Sequence, residues 1–111
     1  MTLGAELPLT DWETVAASQT DQVLGPTGHR GDRIGGIIIV PATTSPGAVS
    51  IKDGGGSATT LFAGGAASVA DLTPIEILFE PDGIRSVHSD NTGWKVTTGI
   101  NVSVLAFGSY S

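Results

Sequence analysis

From Trp94 to Val104 the side chains switch between apolar and polar at almost every step, most of the apolar ones are β-branched, and Lys95 carries the one charge. Alternate residues of an extended chain point to opposite faces, so this pattern suits a half-buried strand and cannot be placed on one side of a helix. Trp94, Val96 and Thr98 share one face of a first strand, and Gly99 offers a turn. Val102, Val104 and Ala106 then share one face of a second strand, with Asn101, Ser103, Leu105 and Phe107 on the other. The spacing predicts a β-hairpin with one wholly apolar face and a second that is half apolar.

The same period recurs upstream, between clusters of Gly, Pro, Asp and Asn, and no sustained 3.6-residue stripe competes with it. Trp12–Ala17 and Asp21–Leu24 are short strand candidates. The run Ile37, Ile38, Ile39, Val40 predicts a core strand buried on both faces. Val49–Lys52 and Ser57–Phe62 flank Asp53-Gly54-Gly55-Gly56, whose glycines tolerate positive φ, and so predict a second hairpin. Ile75, Ile77 and Phe79 form a further strand that Pro81-Asp82-Gly83 stops, and Ile84–His88 returns. The expected fold is all-β, an antiparallel β-sandwich or jelly-roll-like arrangement of about eight strands. Residues 1–12 are expected as an N-terminal arm or extended segment, and residues 13–111 as a single sandwich domain. Ile37, Ile39, Trp94, Val96, Val102 and Val104 are the expected core. That is more apolar strand surface than one thin core needs, so a subunit interface is expected to take the remainder.

Charge narrows the partners. With 11 acidic against five basic residues, the net charge is −6 and the basic groups are scattered, which argues against a nucleic-acid backbone as partner. The longest apolar block, "GGIIIVPA", is far shorter than a bilayer span, and the start shows no basic region followed by a long apolar run. Neither a membrane partner nor a secretory leader is expected, and synthesis in a cytoplasm is. The chain has no cysteine, hence no disulfide framework and no thiolate metal site.

Two blocks, "VPATTSPGAVSIKDG" and "GWKVTTGINVSV", within a stretch running from about Val23 to Gly108, resemble a group of small β-rich virion proteins encoded by tailed bacteriophages. The resemblance implies a non-enzymatic component of the particle: a capsid decoration or cement subunit, or another head or tail surface protein, located in the virion. The chain departs from that pattern in "EPDGIRSVHSDNT", where charged and polar residues occupy the turns. Analogy with capsid threefold sites suggests a homo-oligomer, a trimer, whose other partner is the capsid or another virion protein. A receptor- or carbohydrate-binding module of a head or tail fibre is the alternative.

Each candidate for chemistry has a plainer explanation. Arg30-Gly31-Asp32 spells an adhesion motif but equally suits a turn into the core strand, and Gly25, Gly28 and Gly31 recur over too few triplets for a collagen helix. His29 and His88 stand in no metal-ligand spacing with carboxylates. Glu76 and Glu80, on one face of one strand, would lie about 13 Å apart, too far for a glycosidase pair. No Gly-x-Ser-x-Gly elbow marks a serine nucleophile, and the glycines after Asp53 lack a phosphate-binding Lys. No catalytic, metal or cofactor-binding residue is therefore expected, and no cofactor. Trp12 and Trp94 are candidate sugar platforms, although a lone strand aromatic more often anchors packing. Leu3, Leu7, Leu9 and Trp12 are the expected interface residues, with Pro8 keeping the leucine segment out of a central strand.

Overall fold

The computed structural model describes residues 11–111. Nine strands occupy it: β1 (Asp11–Val15), β2 (Gln22–Val23), β3 (Arg33–Pro41), β4 (Val49–Asp53), β5 (Thr59–Phe62), β6 (Ile75–Leu78), β7 (Ile84–Arg85), β8 (Trp94–Thr98) and β9 (Val102–Ser109). They form two antiparallel sheets, and no helix occurs among the described residues. The first sheet runs β1-β9-β3-β6, with β7 pairing the β3 edge just beyond β6; the second runs β2-β8-β4-β5. The all-β sandwich expected from the alternation is the fold observed. β1 begins at Asp11, so residues 11 and 12 lie in the first sheet and not in a separate arm. Leu3, Leu7 and Leu9 lie outside the described residues.

Strand patterning decides which face goes inward. Val15, Ile37, Ile39, Val102, Val104 and Ala106 of the first sheet meet Val49, Ile51, Trp94 and Val96 of the second, with Leu24 and Ile34 completing the buried cluster. Ile37, Ile39, Trp94, Val96, Val102 and Val104 are thus all in the core, none more than 7% exposed. Burying an aliphatic side chain of this size contributes about 1.5–3 kcal/mol. Trp94 also places its indole N–H 3.0 Å from the carbonyl of Ile84, so its one polar atom is satisfied where it is buried.

Two sequence expectations are corrected. The stretch from Trp94 to Phe107 is not a hairpin: β8 belongs to the second sheet and β9 to the first. The two apolar faces meet across the core instead of lying side by side, which buries both. The corner Gly99-Ile100-Asn101 is fixed from outside, because Gly99 N donates to Ala48 O at 2.8 Å, Gly47 N to Ile100 O at 2.7 Å and Ala42 N to Asn101 O at 2.9 Å. Thr98 ties the β1–β2 crossing to the same corner, its hydroxyl donating to Ala16 O at 2.6 Å and accepting from Gln19 N at 3.0 Å. The second correction concerns β3, which is not buried on both faces. Ile37 and Ile39 are buried, Ile38 is half-buried and Val40 is exposed. The β4–β5 hairpin, by contrast, forms where the glycines predict it, with Gly54 at φ +56°.

Candidate interaction surface

The outward side of the first sheet is the largest departure from ordinary strand patterning. Cross-strand register places Trp12 beside Phe107, Phe107 beside Gly36 and Gly36 beside Leu78, one row across all four strands. The next row is Thr14, Leu105, Ile38 and Glu76, and the third pairs Ser103 with Val40. Six apolar side chains therefore share this outward face: Trp12, Val40 and Leu78 are exposed, and Ile38, Leu105 and Phe107 are half-buried. Trp12 is 68% exposed, Leu78 46% and Val40 38%. Glu76 is the one charged residue in these rows. Scattered surface apolar residues need no explanation, whereas a contiguous apolar patch is a candidate contact surface.

At the rim of this face β1 forms an open groove of about 540 Å³ with Gly25, Pro26 and Tyr110, lined also by Asp11, Trp12 and Glu13. Both carboxylates there are engaged within the fold. Asp11 Oδ2 accepts from Tyr110 N at 2.8 Å, while Glu13 accepts from Gly25 N at 2.9 Å and from Gln22 Nε2 at 2.6 Å. Asp11 braces β1 against the segment after β9, and Glu13 braces it against β2 and the turn that follows β2. The Tyr110 hydroxyl is buried without a hydrogen-bond partner, and burial, with the nearby Glu13, Asp11 and Asp32 charges, holds its pKa well above the usual phenol value.

The motifs singled out in the sequence resolve into packing. In Arg30-Gly31-Asp32 the carboxylate is turned inward, with Asp32 only 5% exposed. It accepts from His29 N at 3.0 Å, Ser111 N at 3.1 Å and Ser111 Oγ at 2.7 Å, while Ser111 O accepts from Thr27 N and Gly28 N, both at 2.9 Å. The adhesion reading needs that carboxylate free; here it clips residues 27–32 to Ser111. Gly28, at φ +68°, permits the clip, since a Cβ there would fall 2.4 Å from Thr92 O.

Asp53 has a matching role at the other loop cluster. It accepts from the hydroxyl of the buried Ser86, from Val87 N at 2.7 Å and from His88 N at 3.1 Å. His88 Nδ1 lies 3.1 Å from Asp90, whose other oxygen accepts from Gly55 N at 2.8 Å. These contacts clamp the glycine turn after β4 to residues 86–92. Ser86 is buried and committed to Asp53, so the Ser, His and Asp side chains gathered here build no accessible nucleophile. No group of three or more potential metal ligands occurs among the described residues. Glu80 lies beyond the end of β6, so Glu76 and Glu80 do not share a strand as the sequence spacing suggested.

Of the two tryptophans, Trp94 is in the core and only Trp12 presents a face to solvent. Sequence reasoning identified Trp12 but missed Ile38, Val40, Leu78, Leu105 and Phe107 as its companions. The signal was present in the half-apolar second face of the last strand and in the apolar run of β3, which looked doubly buried. The chain matches no protein-family model, no curated protein and no solved structure.

Proposed function

We propose that this protein is a non-enzymatic structural component of a bacteriophage virion, a capsid decoration or cement subunit that oligomerises, as a trimer, and attaches to the particle surface. The apolar outer face of the first sheet carries the reading. A sandwich whose second face is apolar, on a chain whose polar clusters are spent on bracing loops, is suited to adhering to protein surfaces. The resemblance of "VPATTSPGAVSIKDG" and "GWKVTTGINVSV" to small phage virion proteins supports a particle as the surface. The mechanism is avidity: repeated subunits add many weak contacts into an attachment that one small interface cannot provide.

The experiment is electron microscopy of intact particles that carry this chain. The reading expects density for the sandwich at repeated positions on the outside of the head, with the first sheet turned toward a neighbour. Particles in which the chain occupies no repeated position on the outside of the head would overturn it. A second reading, a carbohydrate- or receptor-binding module, is favoured by one observation, the exposed Trp12 in an open groove beside Asp11 and Glu13. Binding of the isolated protein to glycans or host cells, and not to bare capsids, would select it.

A further inference from the structure

The outer face of the first sheet is a four-strand platform, roughly 19 Å by 20 Å at ordinary strand spacing and rise, or roughly 400 Å². A stable pairing buries about 800 Å² on each partner. Flat docking of this face alone supplies about half of that, so whatever covers it must bring further contact.

Residues 1–10 have the matching chemistry. Met1, Leu3, Ala5, Leu7 and Leu9 occupy the odd positions, while Thr2, Gly4, Glu6, Pro8 and Thr10 occupy the even ones. An extended segment of this pattern has one apolar and one polar side, which is the requirement for lying on an apolar sheet with its back to water. Pro8 lacks an N–H and suits an extended or edge position more than a central strand. Ten extended residues reach about 33 Å, enough to cross the platform. The segment joins the fold at Asp11, the first residue of edge strand β1, next to Trp12, the first apolar residue of the face.

The point of attachment also selects whose face is covered. Asp11 is already in strand conformation, so a segment returning over its own sheet would first have to reverse, and the residues of that turn would be lost to contact. A neighbouring face takes all five without reversal. We propose that residues 1–10 of each copy dock on the outer face of the first sheet of a second copy, with Leu3, Leu7 and Leu9 against Ile38, Val40 and Leu105. The inference rests on the self-assembly part of the proposed function and names the surface and the segment that perform it. Each copy gives one arm and receives one, an exchange that a closed symmetric assembly accommodates.

The absence of native cysteine makes the test clean. Leu7→Cys and Ser103→Cys are made in separate full-length chains, one lengthened by a tag so that mixed pairs are recognised by mass, then combined and oxidised. Ser103 is half-buried on the outer face opposite Val40, and the control, Thr60→Cys, is exposed on β5 of the other sheet. Mixed Leu7→Cys/Ser103→Cys pairs should form about tenfold faster or more than Leu7→Cys/Thr60→Cys pairs, since docking raises the effective concentration of the two thiols. Equal rates would overturn the inference. So would a chain carrying both Leu7→Cys and Ser103→Cys that closes its disulfide within one molecule, which would assign the face to its own arm. No particle takes part, so failure here leaves attachment to virions standing, and failure of particle imaging leaves this contact standing.

Discussion

Phe107 lies against Gly36 on the neighbouring strand, so closely that a Cβ on Gly36 would fall 2.6 Å from the ring's Cζ and 2.7 Å from the carbonyl oxygen of Ile77. The aromatic ring takes the place of the missing side chain and continues the apolar row from Trp12 to Leu78. The ring can swing aside; the Ile77 backbone cannot without disturbing the β3–β6 ladder. Gly36→Ala is therefore expected to destabilise the fold by about 1–3 kcal/mol through overpacking. Chemical denaturation of the two proteins measures it, and an unchanged midpoint would show that the close approach is not needed.

Asp32→Ala removes the acceptor that holds His29 N and both donors of Ser111. Hydrogen bonds to a charged group contribute about 1.5–3 kcal/mol each net of water, and their sharing of one carboxylate keeps the combined effect to about 2–3 kcal/mol. The variant should unfold at lower denaturant while its hydrogen exchange accelerates first in residues 27–32. Any cell-binding activity lost with it would be a consequence of this loosening and not of a missing recognition tripeptide.

Asp53→Asn tests the second brace. The amide keeps one acceptor oxygen but loses the charge that receives Ser86 Oγ, Val87 N and His88 N together. The expected cost is about 1–3 kcal/mol, the range for leaving buried donors unsatisfied. It should appear as lower thermal stability with the β-rich circular dichroism spectrum retained. Wild-type stability in the variant would remove Asp53 from this role.

Tyr110 yields a pH prediction. Its phenol is held protonated in the fold by burial first and by the surrounding Glu13, Asp11 and Asp32 charges second. The folded pKa is raised above the unfolded one, so at alkaline pH the unfolded chain binds fewer protons than the folded chain. Stability is full below the unfolded value of about 10 and falls as pH rises beyond it. Tyr110→Phe should abolish that alkaline component and, because the buried hydroxyl has no partner, should not destabilise the protein at neutral pH. Denaturation midpoints of both chains between neutral and strongly alkaline pH decide the matter; parallel curves would contradict it.

Period-two alternation identified the elements because it is a local property, and Ile37, Ile39, Val96, Val102 and Val104 point inward wherever their strands are placed. Pairing is not local. Nothing in Gly99-Ile100-Asn101 distinguishes a hairpin turn from a corner between sheets, because the deciding hydrogen bonds come from Ala42, Gly47 and Ala48, some fifty residues upstream. The outer face was half-legible for a related reason. Ile38 and Val40 read as buried from the apolar run, whereas in the fold Ile38 is half-buried and Val40 exposed. The roles of Asp32 and Asp53 were hidden in turn-forming tripeptides, since an Asp that starts a turn and an Asp that anchors a distant segment are the same letter.

The central claim is that this protein works by adhesion through the outer face of its first sheet. Light-scattering mass of the full chain against a Val40→Lys/Leu78→Lys variant tests it most directly, because both positions are exposed and lysine there should alter stability by no more than about 0.5 kcal/mol. The account predicts a multi-subunit wild type at micromolar concentration and an 11.2 kDa monomer for the variant, with similar unfolding temperatures. A wild type that stays monomeric at every concentration, or a variant that assembles as the wild type does, would contradict it.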